Sequence, residues 1–380
     1  MRVAVLGHYP MDKNNIIGGV SAVTWRLADA LSKLPDVEVH ALTFVQGLEA
    51  SRHEVCGRVY EHYVPSNRTL GGLTFYSVDR RRLSKVLREI KPDIIHIHGS
   101  THYPPCVWGS GIPWIMTPHG MIAKEAKMRS TLRGKLRSPL EAWYEKRAYK
   151  VAHDIIFCND YVLSCVRPYT RARAYKVANA LDDSYFNIPN REVPGSILFV
   201  GWLTPRKGVL YLVQAASILK ERGVKFRISF VGKTVEADYH ASLLDCVDKS
   251  HLHDYIEWLD TVEEQRLKEL YGECSLLVLP SLEESLPTVL VQAMAAGKPC
   301  VGTDSAGIPY VIRDGKTGFL AEYGNPTSLA DKIQLLLEDR ELRASMGRAG
   351  REVAEAEYSA PEVARTHLEV YRKVIECWRS

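Results

Sequence analysis

Two short stretches carry residues that could act on an anionic ligand. In 278–303, VLPSLEESLPTVLVQAMAAGKPCVGT, an apolar strand at Val278 and Leu279 turns at Pro280 and Ser281 into an acidic loop, Glu283, Glu284 and Ser285. A short helix follows, opened by Pro287 and closed by Gly297. N–H groups between Ser285 and Thr288 lack intrahelical acceptors and sit at the positive end of the helix dipole, which makes this point a seat for phosphate. Glu284 and Gln292 stand eight residues apart on either side of it, so a carboxylate and an amide address whatever rests there. The second stretch, Gly201-Trp202-Leu203-Thr204-Pro205-Arg206-Lys207-Gly208, puts two adjacent cations at another helix start. A solvated basic turn has the same composition. His98-Gly99 and His119-Gly120 both end apolar strands, where a histidine is either a structural hydrogen-bonder or a ligand contact.

Positioning such groups takes a layered scaffold, and the chain reads as one. At 380 residues it is too long for one core, so two domains of roughly 180 residues are expected. Residues 2–7 read as a buried strand and 20–34 as an amphipathic helix, joined by a loop ending Ile17-Gly18-Gly19-Val20. This is a Rossmann-like beginning, yet the G-x-G-x-x-G fingerprint is absent and NAD is disfavoured. The glycines admit a ligand close to the backbone or simply make a flexible turn. Strands over 36–44, 93–99, 112–120 and 153–159 alternate with helices over 79–90 and 138–151, and further strands lie within 196–209, 225–233, 255–260, 274–281, 298–303 and 317–321. Continuous β-branched runs such as Ile94-Ile95-His96-Ile97 imply strands covered on both faces, as in parallel sheets between helix layers. The polar stretch 187–196 marks a boundary, giving domains 1–190 and 191–358, and residues 359–380 carry a last helix with no strand after it.

Composition narrows the classes of function. A net charge of +4 suits anionic ligands or an anionic membrane surface and is too mild to argue for nucleic acid. The eight cysteines form no C-x-x-C pair and read as reduced thiols of a cytoplasmic protein, with no metal cage implied. The N-terminus starts a strand rather than a signal peptide, and no apolar run nears the ~20 residues of a membrane span. A soluble or peripheral protein is expected.

The acidic stretch resembles the E-x7-E signature of retaining glycosyltransferases of family 4. Pro280, Ser281, Glu284, Ala293, Met294, Ala295, Gly297 and Pro299 match, while Leu286-Pro287 replaces Phe-Gly and Gln292 replaces the second Glu. The loop 201–208 is similar to the family's G-R-L-x-x-x-K-G diphosphate clamp at Gly201, Leu203, Lys207 and Gly208, with Trp202 in the arginine's place and Arg206 adjacent to the lysine. Residues 177–186 resemble the family's hinge at Asn179, Asp182 and Phe186, and 305–309 and 314–319 also fit. The resemblance implies an α/β fold of the GT-B type, two Rossmann-like domains with parallel sheets facing an inter-domain cleft, and a last helix crossing back to the first domain. It implies a retaining glycosyltransferase of polysaccharide or glycoconjugate synthesis, moving a sugar from a nucleoside diphosphate to a glycan or lipid-linked acceptor. A UDP-sugar is favoured over GDP-mannose.

In this reading Lys207, Arg206 and the N–H groups of Ser285, Leu286 and Thr288, with Pro287 opening the helix, hold the diphosphate. Glu284 takes sugar hydroxyls and Gln292 the ribose. Gly19, Gly201 and Gly232 let the donor approach the backbone, and His119 faces the reacting sugar or the acceptor. No Asp-x-Asp motif is present, so protein cations are expected to replace a metal and no cofactor is implied. The basic run 124–150, with Leu132, Leu136, Leu140, Trp143 and Tyr144 interleaved, is either a solvated helix face or a surface that rests on anionic lipid at the inner face of the membrane. A sugar-nucleotide epimerase of GT-B fold and a non-catalytic nucleotide-sugar binder are the alternatives.

Overall fold

The computed structural model describes residues 1–13, 18–66, 74, 76–119 and 132–379, with the backbone alone for 132–138. Ile17 of the glycine loop and residues 124–131 of the basic run lie outside the described residues. The chain divides into two units, Met1–Ala180 with Ala360–Ser380, and Leu181–Ser359. This division precedes the polar stretch 187–196, which is bound along the second unit. Arg191 and Val193 donate their N–H groups to the carbonyls of Gly272 and Glu273, and Lys298 Nζ reaches Asn190 Oδ1 at 2.7 Å. The stretch looks like a linker in sequence because its partners are far away along the chain.

The first unit holds strands β1 (Arg2–Leu6), β2 (Glu38–Gln46), β3 (Arg52–Cys56), β4 (Val59–Ser66), β5 (Ile94–His98), β6 (Trp114–Thr117), β7 (Asp154–Phe157) and β8 (Arg173–Lys176). They form one sheet in the order β3-β4-β2-β1-β5-β6-β7-β8. Helices α1 (Gly19–Ser32), α2 (Ser77–Ile90), α3 (Tyr103–Val107), α4 (Leu132–Val151) and α5 (Asp160–Val166) connect them. The period of two along β1 sends Ala4 and Leu6 to a core with Leu83, Leu87 and Tyr149, and Val3 and Val5 to the opposite core with Leu27 and Leu31. Both faces are therefore covered, and each fully buried aliphatic contributes about 1.5–3 kcal/mol. The exception to parallel pairing is β3, which pairs antiparallel with β4 at the sheet edge.

The second unit holds β9 (Ser196–Val200), α6 (Val209–Glu221), β10 (Arg227–Val231), α7 (Ala237–Lys249), β11 (Ile256–Leu259), α8 (Glu264–Glu273), β12 (Leu276–Leu279), α9 (Thr288–Ala295), β13 (Cys300–Thr303), β14 (Gly318–Ala321), α10 (Pro326–Glu338) and α11 (Arg340–Tyr358). Its sheet runs β11-β10-β9-β12-β13-β14, parallel throughout. The first strand, β9, lies between β10 and β12, so the order reverses direction there. Ligands of open α/β sheets gather outside the strand ends at such a reversal. In the first unit the corresponding reversal is at β1, between β2 and β5. The last helix, α12 (Ala360–Arg379), belongs to the first unit and lays Val363, Ala364, Val370, Tyr371 and Val374 on the core of Val3 and Val5. That spacing is one helical face.

Candidate active site

The loops that leave β9 and β12 at the reversal are bonded to each other. Leu282 N–H donates to the Arg206 carbonyl at 2.8 Å, and Gly208 packs so closely that a Cβ there would lie 2.0 Å from the Pro280 carbonyl oxygen. With φ +67°, Gly208 also holds a conformation that side chains disfavour. The acidic loop turns its carbonyls inward. Those of Ser281, Leu282, Glu283 and Glu284 accept from Thr303 Oγ1, Ser305 Oγ, Arg206 Nη1 and Gly307 N–H, at 2.6, 2.6, 2.5 and 2.8 Å. Gly307 is close enough that a Cβ would meet the Ser285 carbonyl oxygen at 2.3 Å. Thr303, Ser305 and Gly307 thus set the path of the chain into α9.

On this frame Lys207 Nζ donates to Glu284 Oε1 at 2.5 Å, with Arg206 Nη1 3.5 Å from the same oxygen. Lys207 and Glu284 are mostly buried, their side chains 13% and 11% exposed, whereas Arg206 is 38% exposed. The Lys207 stem crosses Gly201, where a Cβ would stand 3.3 Å from Cε. Two cations meet one carboxylate just ahead of the α9 N-terminus. An ammonium has three donors, so two remain for anionic oxygens after the bond to Glu284. Trp202, where the arginine was expected, is 62% exposed.

Gln292 is buried in α9, and its Oε1 accepts from the hydroxyl of fully buried Tyr271 at 2.8 Å. A ribose would therefore meet an amide whose oxygen is already engaged from within. Tyr271 could not have been found from spacing, since it approaches from α8. Gly232 follows β10 and packs on the first loop, its Cβ position 2.1 Å from the Gly201 carbonyl oxygen. At Gly19, the first residue of α1, a Cβ would meet nothing within 4 Å among the described residues.

In the first unit the ends of β5 and β6 gather histidines. His98, ending β5, and His119, after β6, approach through His98 Nδ1 and His119 Nε2 at 2.7 Å. Behind them His96 is held between Tyr371 Oη at 2.6 Å and Thr117 Oγ1 at 2.7 Å. Burial pushes His96 and His98 well below the usual imidazole range and brings His119 down to about 4, so all three are neutral at pH 7. Of the basic run, Tyr144 and Glu145 are buried, while Leu140 and Trp143 are exposed. Among the described residues no helix is long and apolar enough to cross a membrane.

Two parallel-sheet units with the phosphate-type loops at a strand reversal are the GT-B glycosyltransferase architecture. Sucrose-phosphate synthase from Thermosynechococcus elongatus matches with a TM-score of 0.79 at 18% identity, over 99% of this chain and 100% of its own. HepE of Anabaena in complex with UDP matches with a TM-score of 0.75 at 17% identity, over 98% and 100%. A family model described as Glycosyl transferases group 1 matches residues 183–353, and one described as Glycosyltransferase Family 4 matches residues 17–185. The chain belongs to the family 4 glycosyltransferases. Among curated relatives, N-acetyl-alpha-D-glucosaminyl L-malate synthase of Bacillus anthracis is 26% identical over 382 residues, 94% of this chain and 95% of that protein.

Proposed function

We propose that this glycosyltransferase moves a sugar from a nucleoside diphosphate, a UDP-sugar ahead of GDP-mannose, to a hydroxyl of a glycan or lipid-linked acceptor, with retention at the anomeric carbon and without a divalent metal. The observation that carries the reading is the convergence of Lys207 and Arg206 on Glu284 ahead of α9, at the β9/β12 reversal. The UDP bound to the Anabaena neighbour supports the choice of base.

Negative charge grows on the leaving diphosphate as the glycosidic bond breaks, and the two free N–H bonds of Lys207 address it where it develops. Glu284 fixes the lysine through one oxygen and keeps the other for sugar hydroxyls. Gln292 meets the ribose with its amide nitrogen, because Tyr271 engages the oxygen. His119 serves the sugar or the acceptor as a neutral hydrogen-bonding group. Exposed Leu140 and Trp143 near Lys146, Arg147 and Lys150 support a peripheral contact with anionic lipid on the acceptor side.

Thermal shift with a panel of nucleotide sugars tests the donor, since a ligand at 100 times its Kd adds about 2.7 kcal/mol of stability. Transfer in excess EDTA with an α-linked product from an α-linked donor is expected. Loss of transfer that Mg²⁺ restores, or an inverted product, overturns the mechanism.

A further inference from the structure

We infer that His98 is a positioning residue that locks His119 into a single tautomer, with the proton on Nδ1, so that His119 presents a fixed hydrogen-bond donor and has no lone pair with which to take a proton. The inference rests on the contact between two rings at the ends of β5 and β6. Their interplanar angle is 12° and their centroids are 5.0 Å apart, while Nδ1 of His98 and Nε2 of His119 are separated by 2.7 Å. Nearly coplanar imidazoles at that centroid spacing meet edge to edge, through one in-plane N–H···N bond. One ring must donate and the other accept.

The direction of the bond follows from the other nitrogen of His98. His98 is 1% exposed, and its Nε2 has no partner among the described residues. If His98 accepted at Nδ1, its proton would sit on Nε2 as a buried donor without an acceptor, the rarer and costlier fault in protein interiors. If His98 donates from Nδ1, Nε2 carries only an unused lone pair. The second arrangement is the one selected. His98 has little freedom to turn away from it, because Gly7, just after β1, packs against it so closely that a Cβ there would lie 2.8 Å from the His98 Cβ, and the His96 ring centroid is 4.2 Å from that of His98. His119 Nε2 then accepts, which puts the His119 proton on Nδ1. Burial keeps both rings neutral at pH 7, so no second proton disturbs the assignment.

The chemical partner of a fixed Nδ1–H is an oxygen acceptor, a hydroxyl or phosphate oxygen of the substrate. His119 therefore orients and polarises, and a general-base role is closed to it. This last step rests on the proposed function; the tautomer does not.

The test is long-range ¹H–¹⁵N imidazole NMR on the full-length, ligand-free protein, with His119 assigned by the signals lost in His119→Asn. Between pH 6 and 8 we expect a pyrrole-type Nδ1 and a pyridine-type Nε2 for His119, and the same for His98. His98→Asn, which can still donate, should keep the His119 pattern, and His98→Ala should shift both His119 nitrogens toward the averaged values of exchanging tautomers. A wild-type His119 with its proton on Nε2 overturns the inference, as does an unchanged His119 pattern in His98→Ala. Should the variants fail to fold, the wild-type spectrum alone decides. A locked tautomer together with undiminished sugar transfer by His119→Ala would leave the tautomer standing and remove His119 from the reaction.

Discussion

The two strand reversals have the same layout, and the loops at β9/β12 carry a different chemistry from the ends of β5 and β6. At β9/β12 charged side chains are brought together and mostly buried, with Glu284 holding Lys207. At β1/β5 and the adjoining β6, histidines are desolvated until they are neutral, and the hydroxyls of Tyr371 and Thr117 hold His96 between them. The loops of the second unit concentrate charge, and the strand ends of the first hold a hydrogen-bonding pattern whatever the pH near neutrality. A doubly wound sheet supplies the location only, and the residues at the strand ends decide what it is used for.

The largest expected break in this comparison comes from Lys207→Ala. Removing a donor that strengthens as the diphosphate departs should cost about 3–4 kcal/mol, a loss in kcat of roughly 10²–10³. Arg206→Ala should cost less, because its Nη1 is shared with the Glu283 carbonyl. Near wild-type kcat in Lys207→Ala at saturating acceptor would reduce the loop 201–208 to a solvated turn. Next in size is Gly208→Ala. A methyl group there meets the Pro280 carbonyl in a left-handed backbone, so a loss of about 2–3 kcal/mol is expected in denaturant unfolding. Unchanged stability would show that the two loops are not tightly joined.

Acid should act on the histidine-rich unit. His119 and His367 titrate at about 4 when folded, against 6.5 in an open chain, and burial is the main cause in both. Between those values the unfolded chain binds more protons, so stability is fully present above pH ~6.5 and falls as the pH is lowered toward 4, by on the order of 3 kcal/mol for each histidine. A melting temperature that stays flat from pH 7 to pH 4.5 contradicts this. The smallest effect is Gln292→Glu, where one carboxylate oxygen could accept from Tyr271 and the other from the ribose, improving donor affinity by about 1 kcal/mol. Calorimetry that finds donor binding abolished would assign Gln292 another role.

Much of the second unit was legible because its central strands are continuous apolar runs and its loops carry charged residues in a compact pattern. What escaped has a physical reason in each case. Strand β3 is Arg52-His53-Glu54-Val55-Cys56, exposed along most of its length at a sheet edge, so no alternation of apolar residues announces it. The contact of Tyr271 with Gln292 and that of His98 with His119 each join residues 21 apart on different elements, beyond any helical or strand period. The inward carbonyls of 281–284 depend on Thr303 and Ser305, ordinary residues whose importance lies in where β13 ends.

Because α12 completes the first unit, that unit is interrupted in sequence by the whole of the second. During synthesis Val3, Val5 and Ile94 emerge early, yet the helix that brings Val363, Tyr371 and Val374 onto them is made after residue 359. The second unit can close on its own contacts while the first still exposes an apolar sheet face. The order of emergence and the order of completion are thus reversed, and the part of this face that α12 covers stays open, beside the part α1 covers, until residues after 359 are made.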